Sequence, residues 1–196
     1  MNVPNQLTVA RFVLTIVFLG VLFSEIPYYQ TVSLGLFVIA SLTDYYDGKI
    51  ARRDHLITDF GKLMDPLADK ILTGSAFIAF VGLDLMPAWM VIVIVARELA
   101  ITGLRLLAAS KQIVLAAERF GKHKTITQIT AIISVLVMIS YSSWGGAGQW
   151  VFGWHLGSVP WVVSFTQLAQ WVAVLLTFYS GVVYLWKNRH LFLEDL

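Results

Sequence analysis

Six stretches of this 196-residue chain are each long and apolar enough to cross a lipid bilayer. They fall at about 7–24, 31–52, 61–82, 87–107, 124–141 and 161–187. A span needs roughly 20 mostly apolar residues. A segment inside lipid must satisfy its own backbone hydrogen bonds, so stretches of this kind dictate helices. Composition agrees: 58% of residues are hydrophobic and only 13% charged, against roughly 25% charged in a soluble domain. That excludes a water-soluble globule, a disordered chain and a nucleic-acid-binding module. The predicted fold class is an all-α integral membrane protein with six transmembrane helices. It is a single domain over residues 1–196, because no repeat, low-complexity tract or long linker divides it. Arg11 interrupts the first span and no small-residue cleavage site follows it, so that span reads as a retained helix and not as a signal peptide. The chain has no Cys, hence no disulfide and no thiolate metal site.

The basic residues set the orientation. Lys49, Arg52, Arg53 and Lys62 flank the link between spans two and three. Arg105, Lys111, Arg119, Lys122 and Lys124 flank the link between spans four and five, and Lys187 and Arg189 follow span six. The other links, at about 25–30, 83–86 and 142–160, hold no Lys or Arg. The positive-inside rule then puts both termini in the cytoplasm of a multi-pass protein of the cell membrane. Trp144, Trp150 and Trp154 in the long outer link are expected to anchor it at the outer interface.

Charge inside a span is costly and tends to face a cavity where it has a function. Spans two and three carry an unusual amount. On a helix that includes Asp44, the residues Asp47, Gly48, Ala51 and Arg52 share its face, at offsets of three, four, seven and eight. Gly61, Asp65 and Asp69 recur at intervals of four on the next helix, where Pro66 either kinks the span or starts its regular part. The link between the two is short, so both acidic pairs lie near the cytoplasmic face. Four carboxylates brought together repel unless cations neutralise them. Hard divalent cations prefer such oxygen ligands, and a metal pair can clamp a displacement at phosphorus. Gly48, Ala51 and Gly61 leave the stripes without bulk, and the planar fork of Arg52 suits phosphate oxygens.

These residues spell D-x2-D-G-x2-A-R-x8-G-x3-D-x3-D without gap or substitution, and here the chain resembles the CDP-alcohol phosphotransferases. Eight fixed positions match by chance on the order of once in ten billion starts at average residue usage. The resemblance implies that Asp44, Asp47, Asp65 and Asp69 hold two divalent cations, Mg²⁺ or Mn²⁺. It implies that Asp69 also takes the acceptor's proton. Asp44, Gly48, Ala51, Arg52 and Gly61, with Asn5 from the N-terminal segment, would form the nucleotide surface. The implied reaction moves a phosphatidyl group from CDP-diacylglycerol to an alcohol and releases CMP. A homodimer embedded in membrane lipid is implied as well.

Other segments bear on the acceptor. Residues 2–11, 65–70, 96–105 and 121–125 resemble the phosphatidylglycerophosphate synthase branch, whose acceptor is sn-glycerol 3-phosphate. That dianion calls for a cationic pocket, and Arg97, Arg105, Lys122 and Lys124 are the candidates for it. Glu98 and Thr102 share a helical stripe with Arg105. The rival within the family is a cardiolipin synthase with phosphatidylglycerol as acceptor. The rival from another class is a divalent-cation transporter, disfavoured because the four acids gather towards one face.

Overall fold

The computed structural model describes residues 3–53, 59–113 and 120–193. Helices α1 (Val3–Leu22), α2 (Tyr29–Arg53), α3 (Asp59–Gly82), α4 (Ala88–Ser110) and α5 (Phe120–Ser140) are followed by a short α6 (Gly145–Phe152). A long α7 (Trp161–Lys187) and a single turn, α8 (His190–Leu193), complete the chain. Each predicted span is covered by one long helix. Two helical stretches among the described residues, 123–152 and Trp161–Lys187, are long and apolar enough to cross a membrane.

Buried polar and charged residues gather towards one end of the bundle, with a smaller uncharged set, Ser33, Ser140, Thr166 and Gln170, towards the other. On α1 the residues Thr8, Arg11, Thr15, Phe18 and Leu22 are all buried, at spacings of three and four. The first three are polar and the last two apolar. Helix α5 repeats the pattern, with buried Lys124 and Gln128 followed by Ala131, Ile132, Val135 and Leu136. Helix α7 runs the other way, with Ala169, Ala173 and Val174 preceding Thr177, Ser180 and Tyr184. Contacts between helices show why these gradients coincide. The side-chain amide of Gln128 donates to Thr177 Oγ1 at 3.0 Å. That of Gln170 donates to the carbonyl of Leu85, in the α3–α4 link, at 3.0 Å. Neighbouring helices thus alternate in direction, and the polar segments meet at one end. The other end is filled by Phe18, Phe37, Phe77, Phe80, Ile132 and Leu136, with the Phe18 and Phe37 rings 5.7 Å apart.

The outer surface inverts the pattern of a soluble protein. Ile16, Ile92, Leu168 and Leu175 are 58–71% exposed, while Arg11 is fully buried. Such a surface is matched to lipid and places the protein in a membrane.

The link at 142–160, predicted as an interfacial loop, is ordered. A 3-10 turn (Tyr141–Trp144) leads into α6, and His155–Leu156 pairs antiparallel with Val159–Pro160. The sequence signal for this was aromatic spacing, which does not reveal contacts. The Trp144, Phe152, Trp161 and Phe165 rings follow one another at 5.6, 5.8 and 6.0 Å. The Trp144 indole N–H donates to Thr31 Oγ1 at 2.8 Å, tying the link to the start of α2. Gly148 is required here, because a Cβ would collide with the backbone carbonyl of Tyr141.

Helices α5 and α7 pack closely, and Ala173 on that seam is fully buried. Ala173→Leu is expected to cost about 1–3 kcal/mol through overpacking. A thermal melt in detergent reads this directly; an unchanged Tm would mean the seam is looser than described.

Candidate active site

The last turns of α2 carry Asp44, Asp47, Gly48, Ala51 and Arg52, and the first turns of α3 carry Gly61, Asp65 and Asp69. Pro66 lies inside α3 and does not start it. The side chains of these eight signature residues, and those of Asn5 and Lys122, lie outside the described ones; backbone position alone places them. That position is the polar end of the bundle. The start of α2 is tied by Thr31 to the opposite end, so its signature turns stand with the start of α3.

Helices α4, α5 and α7 build a basic cluster at the same end. Its centre is Glu98 on α4. The Lys124 ammonium, from the start of α5, donates to Glu98 Oε1. The Arg97 guanidinium reaches the same oxygen at 3.3 Å and donates to Ser180 Oγ on α7 at 3.4 Å. The Lys70 ammonium, one residue beyond Asp69, donates to Thr102 Oγ1, whose own hydroxyl donates to the Glu98 carbonyl at 2.7 Å. Side-chain exposure is only 12% for Arg97, 11% for Lys124 and 18% for Glu98. A half-dry carboxylate therefore holds two cations that would otherwise repel, and Lys70 stands on the same stretch of α4. Such a group can receive a polyanion with little rearrangement, since its cations are already gathered and oriented. Arg97 Nε is buried and has no hydrogen-bond partner among the described residues.

The predicted basic residues thus divide. Arg97 and Lys124 meet on one carboxylate. Arg105 is exposed, with its guanidinium 5.9 Å from the centroid of the Tyr184 ring. Tyr184 belongs to a separate apolar group with Ile101, Leu104, Ala108 and Leu191. The sequence reading set Glu98 on a stripe with Arg105, but did not identify it as the shared partner of Arg97 and Lys124. In the structure Gly181 makes room for Arg97: a Cβ there would stand 2.6 Å from Arg97 Cγ. No local signal marks that role, because Arg97 and Gly181 meet only through tertiary packing.

Comparison with known proteins now bears on this arrangement. The sequence pattern of the CDP-alcohol phosphatidyltransferase family matches residues 1–179. The chain belongs to that family. A Bacillus subtilis protein named CDP-diacylglycerol–glycerol-3-phosphate 3-phosphatidyltransferase is 41% identical over 95% of each chain. A Rickettsia typhi protein of the same name is 33% identical over 93% of this chain and 94% of its own. A third of that name, from Mycoplasma pneumoniae, is 34% identical over 83% of this chain and 81% of its own. Membership makes the chain a phosphatidyltransferase of the membrane.

Gly181→Val puts a branched side chain into the space of the Arg97 stem. Displacing a positioned group by an ångström can lower a rate by about a hundredfold, and a loss of that order in phosphatidyltransferase activity is expected. Val182, its outward-facing neighbour, is 47% exposed, and Val182→Ala should leave activity unchanged. Equal activity in the two variants would detach Arg97 from the reaction.

Proposed function

We propose that this chain transfers the phosphatidyl group of CDP-diacylglycerol to sn-glycerol 3-phosphate, giving phosphatidylglycerophosphate and CMP. The observation that carries the reading is the meeting, at one end of the bundle, of the signature-bearing turns of α2 and α3 with the cluster of Arg97, Lys124 and Glu98. The first suits a nucleotide diphosphate and the second a phosphate-bearing acceptor. The names of the relatives pair these two substrates.

The bundle crosses the membrane with six helices, its termini and its polar end in the cytoplasm, in line with the positive-inside pattern. The lipid donor reaches the site from the bilayer and glycerol 3-phosphate from the cytoplasm. Gly48, Ala51 and Gly61 allow the nucleotide to approach the helix backbones, Asn5 adds a polar contact, and Arg52 holds the diphosphate. The set Asp44, Asp47, Asp65 and Asp69 fits divalent cations by its chemistry: four hard oxygen donors, with the nearest cation in sequence, Lys70, engaged with Thr102. Two Mg²⁺ or Mn²⁺ ions, when bound there, neutralise the diphosphate and the charge developing on CMP.

The chain's own residues do the rest. Arg97 and Lys124, joined by Lys122 and Arg105, hold the phosphate of the acceptor, and Glu98 keeps the first two in place. Asp69 accepts the proton of the acceptor hydroxyl. The hydroxyl oxygen bonds to the phosphorus that bears diacylglycerol, the P–O bond to CMP breaks, and CMP leaves. The working unit is a homodimer, as the family resemblance implies. A phosphatidylglycerol acceptor would make less use of the basic cluster, which favours glycerol 3-phosphate.

Purified protein in detergent is expected to release CMP from CDP-diacylglycerol only with both glycerol 3-phosphate and Mg²⁺ present, and EDTA should abolish the release. Release with phosphatidylglycerol in its place would move the chain to the cardiolipin branch. Asp69→Asn should lower turnover by about 10²–10⁴-fold, the range for losing a positioned base, without lowering Tm. Arg105→Ala should raise KM for glycerol 3-phosphate about tenfold with kcat held, as for one lost charged hydrogen bond. A fall in Tm alone would confine Arg105 to its contact with Tyr184.

A further inference from the structure

The end of the bundle remote from the signature holds a cavity of about 800 Å³. The α3–α4 link contributes Asp84 and Met86 to it, α4 Trp89, α5 Met138, and α7 Gln167 and Trp171. Two hydrogen bonds from α7 fix its walls. Gln170 donates to the carbonyl of Leu85 in the link at 3.0 Å, and Thr166 donates to the carbonyl of Ser134 on α5 at 3.1 Å. The cavity is therefore preformed, and its volume falls within the range of small-molecule sites. From Trp89 to Arg97 helix α4 rises about 12 Å, so the cavity is separate from the basic cluster.

The charge of this end has one sign. No Lys or Arg occurs at 71–96 or at 125–186, and the acids of the far end are Glu25 and Asp84. Asp84 lines the cavity and is exposed. Among the described residues, no side chain hydrogen-bonds or ion-pairs with its carboxylate. His155, the imidazole of this end, is not among the lining residues. The Trp89 and Trp171 rings stand 5.4 Å apart at 56°, and each is about half exposed, at 47% and 48%. We infer that this cavity binds an organic ammonium ion, with Asp84 as its counter-charge and the two indole rings against its alkyl groups. Charge and wall chemistry commit the site to that occupant. An anion would meet only negative charge. A hard metal ion would find one carboxylate where it needs several oxygen ligands. An uncharged apolar ligand would leave the carboxylate unmatched. An alkylated ammonium matches every wall, since cations are attracted to the faces of Trp rings and the thioethers of Met86 and Met138 adapt to its carbon skeleton. The same group is found on choline-type lipid headgroups and on free organic cations in water.

The test is equilibrium dialysis of radiolabelled choline against the purified full chain in a maltoside detergent, which carries no ammonium group. Wild type is expected to bind it saturably, and Na⁺ at equal concentration should not displace it. Asp84 stands at φ +56°, a conformation that Asn accepts as readily as Asp. Asp84→Asn therefore removes the charge and keeps the backbone. It should weaken binding about tenfold, as for one lost charged contact. Trp89→Leu and Trp171→Leu should each weaken binding about two- to fivefold, the worth of an exposed cation–π contact. All three variants should keep wild-type phosphatidyltransferase activity, which shows that they fold. Should a tryptophan variant lose it, Asp84→Asn, at an exposed position, decides alone. A second arm separates the sources: a phospholipid whose choline headgroup carries a photoactivatable group, held in nanodiscs of phosphatidylglycerol. Adducts at Trp89 or Trp171 that Asp84→Asn abolishes, without binding of free choline, would make the natural ligand a lipid headgroup. Binding of free choline without such adducts would make it a soluble cation. Absence of both, or binding that Asp84→Asn leaves unchanged, overturns the inference.

Discussion

Glu98 accepts from Lys124 and from Arg97 in a setting with little water, and much of the structure follows from the need to support that group. Breaking a buried ion pair costs several kcal/mol, because the charge left behind has no solvent to turn to. The residues around it therefore have to be arranged together. Ser180 gives Arg97 a further acceptor, Gly181 gives its stem space, and Thr102 receives Lys70. Ser180 and Gly181 are neighbours on α7, and Thr102 stands on α4. The cluster is thus a constraint on how α3, α4, α5 and α7 sit relative to one another, and the packing of those helices satisfies it.

The same constraint explains the gradient along the bundle. The buried charged residues Arg11 and Lys124 lie at one end of α1 and α5, and most of the aromatic and aliphatic core lies beyond them. Alternating helix direction superimposes these ends, so the charged groups meet, while the polar groups towards the far end, such as Thr166 and Gln170, are hydrogen-bonded to backbone carbonyls. A phosphatidyltransferase has to bring a lipid and a water-soluble alcohol to the same phosphorus. A bundle that is polar inside at one end and apolar over its outer surface offers both partners a route to one place.

The helices and the signature were legible in the chain. Each apolar run became one long helix, and α7 coincides with the stretch 161–187. The intervals Asp44 to Arg52 and Gly61 to Asp69 place their residues on the adjacent ends of α2 and α3 because a helix converts spacing into direction. Other parts were not legible. The link at 142–160 read as a loop because its order depends on rings meeting across turns and on Trp144 reaching Thr31. The packing of the Arg105 guanidinium on the Tyr184 ring is a contact between α4 and α7 that no interval along the chain announces.

By itself the sequence determined that the chain is helical, that its outer surface is apolar, and that acidic residues stand in fixed register on two consecutive helices. These are local properties, set by hydrophobic run length, backbone hydrogen bonding and residue spacing. Only the tertiary structure decided that Arg97 and Lys124 share Glu98 and that Gly181 makes room for one of them. Those features depend on distances between helices. Such distances come from how side chains on α4 and α7 interlock, which no interval along the chain encodes.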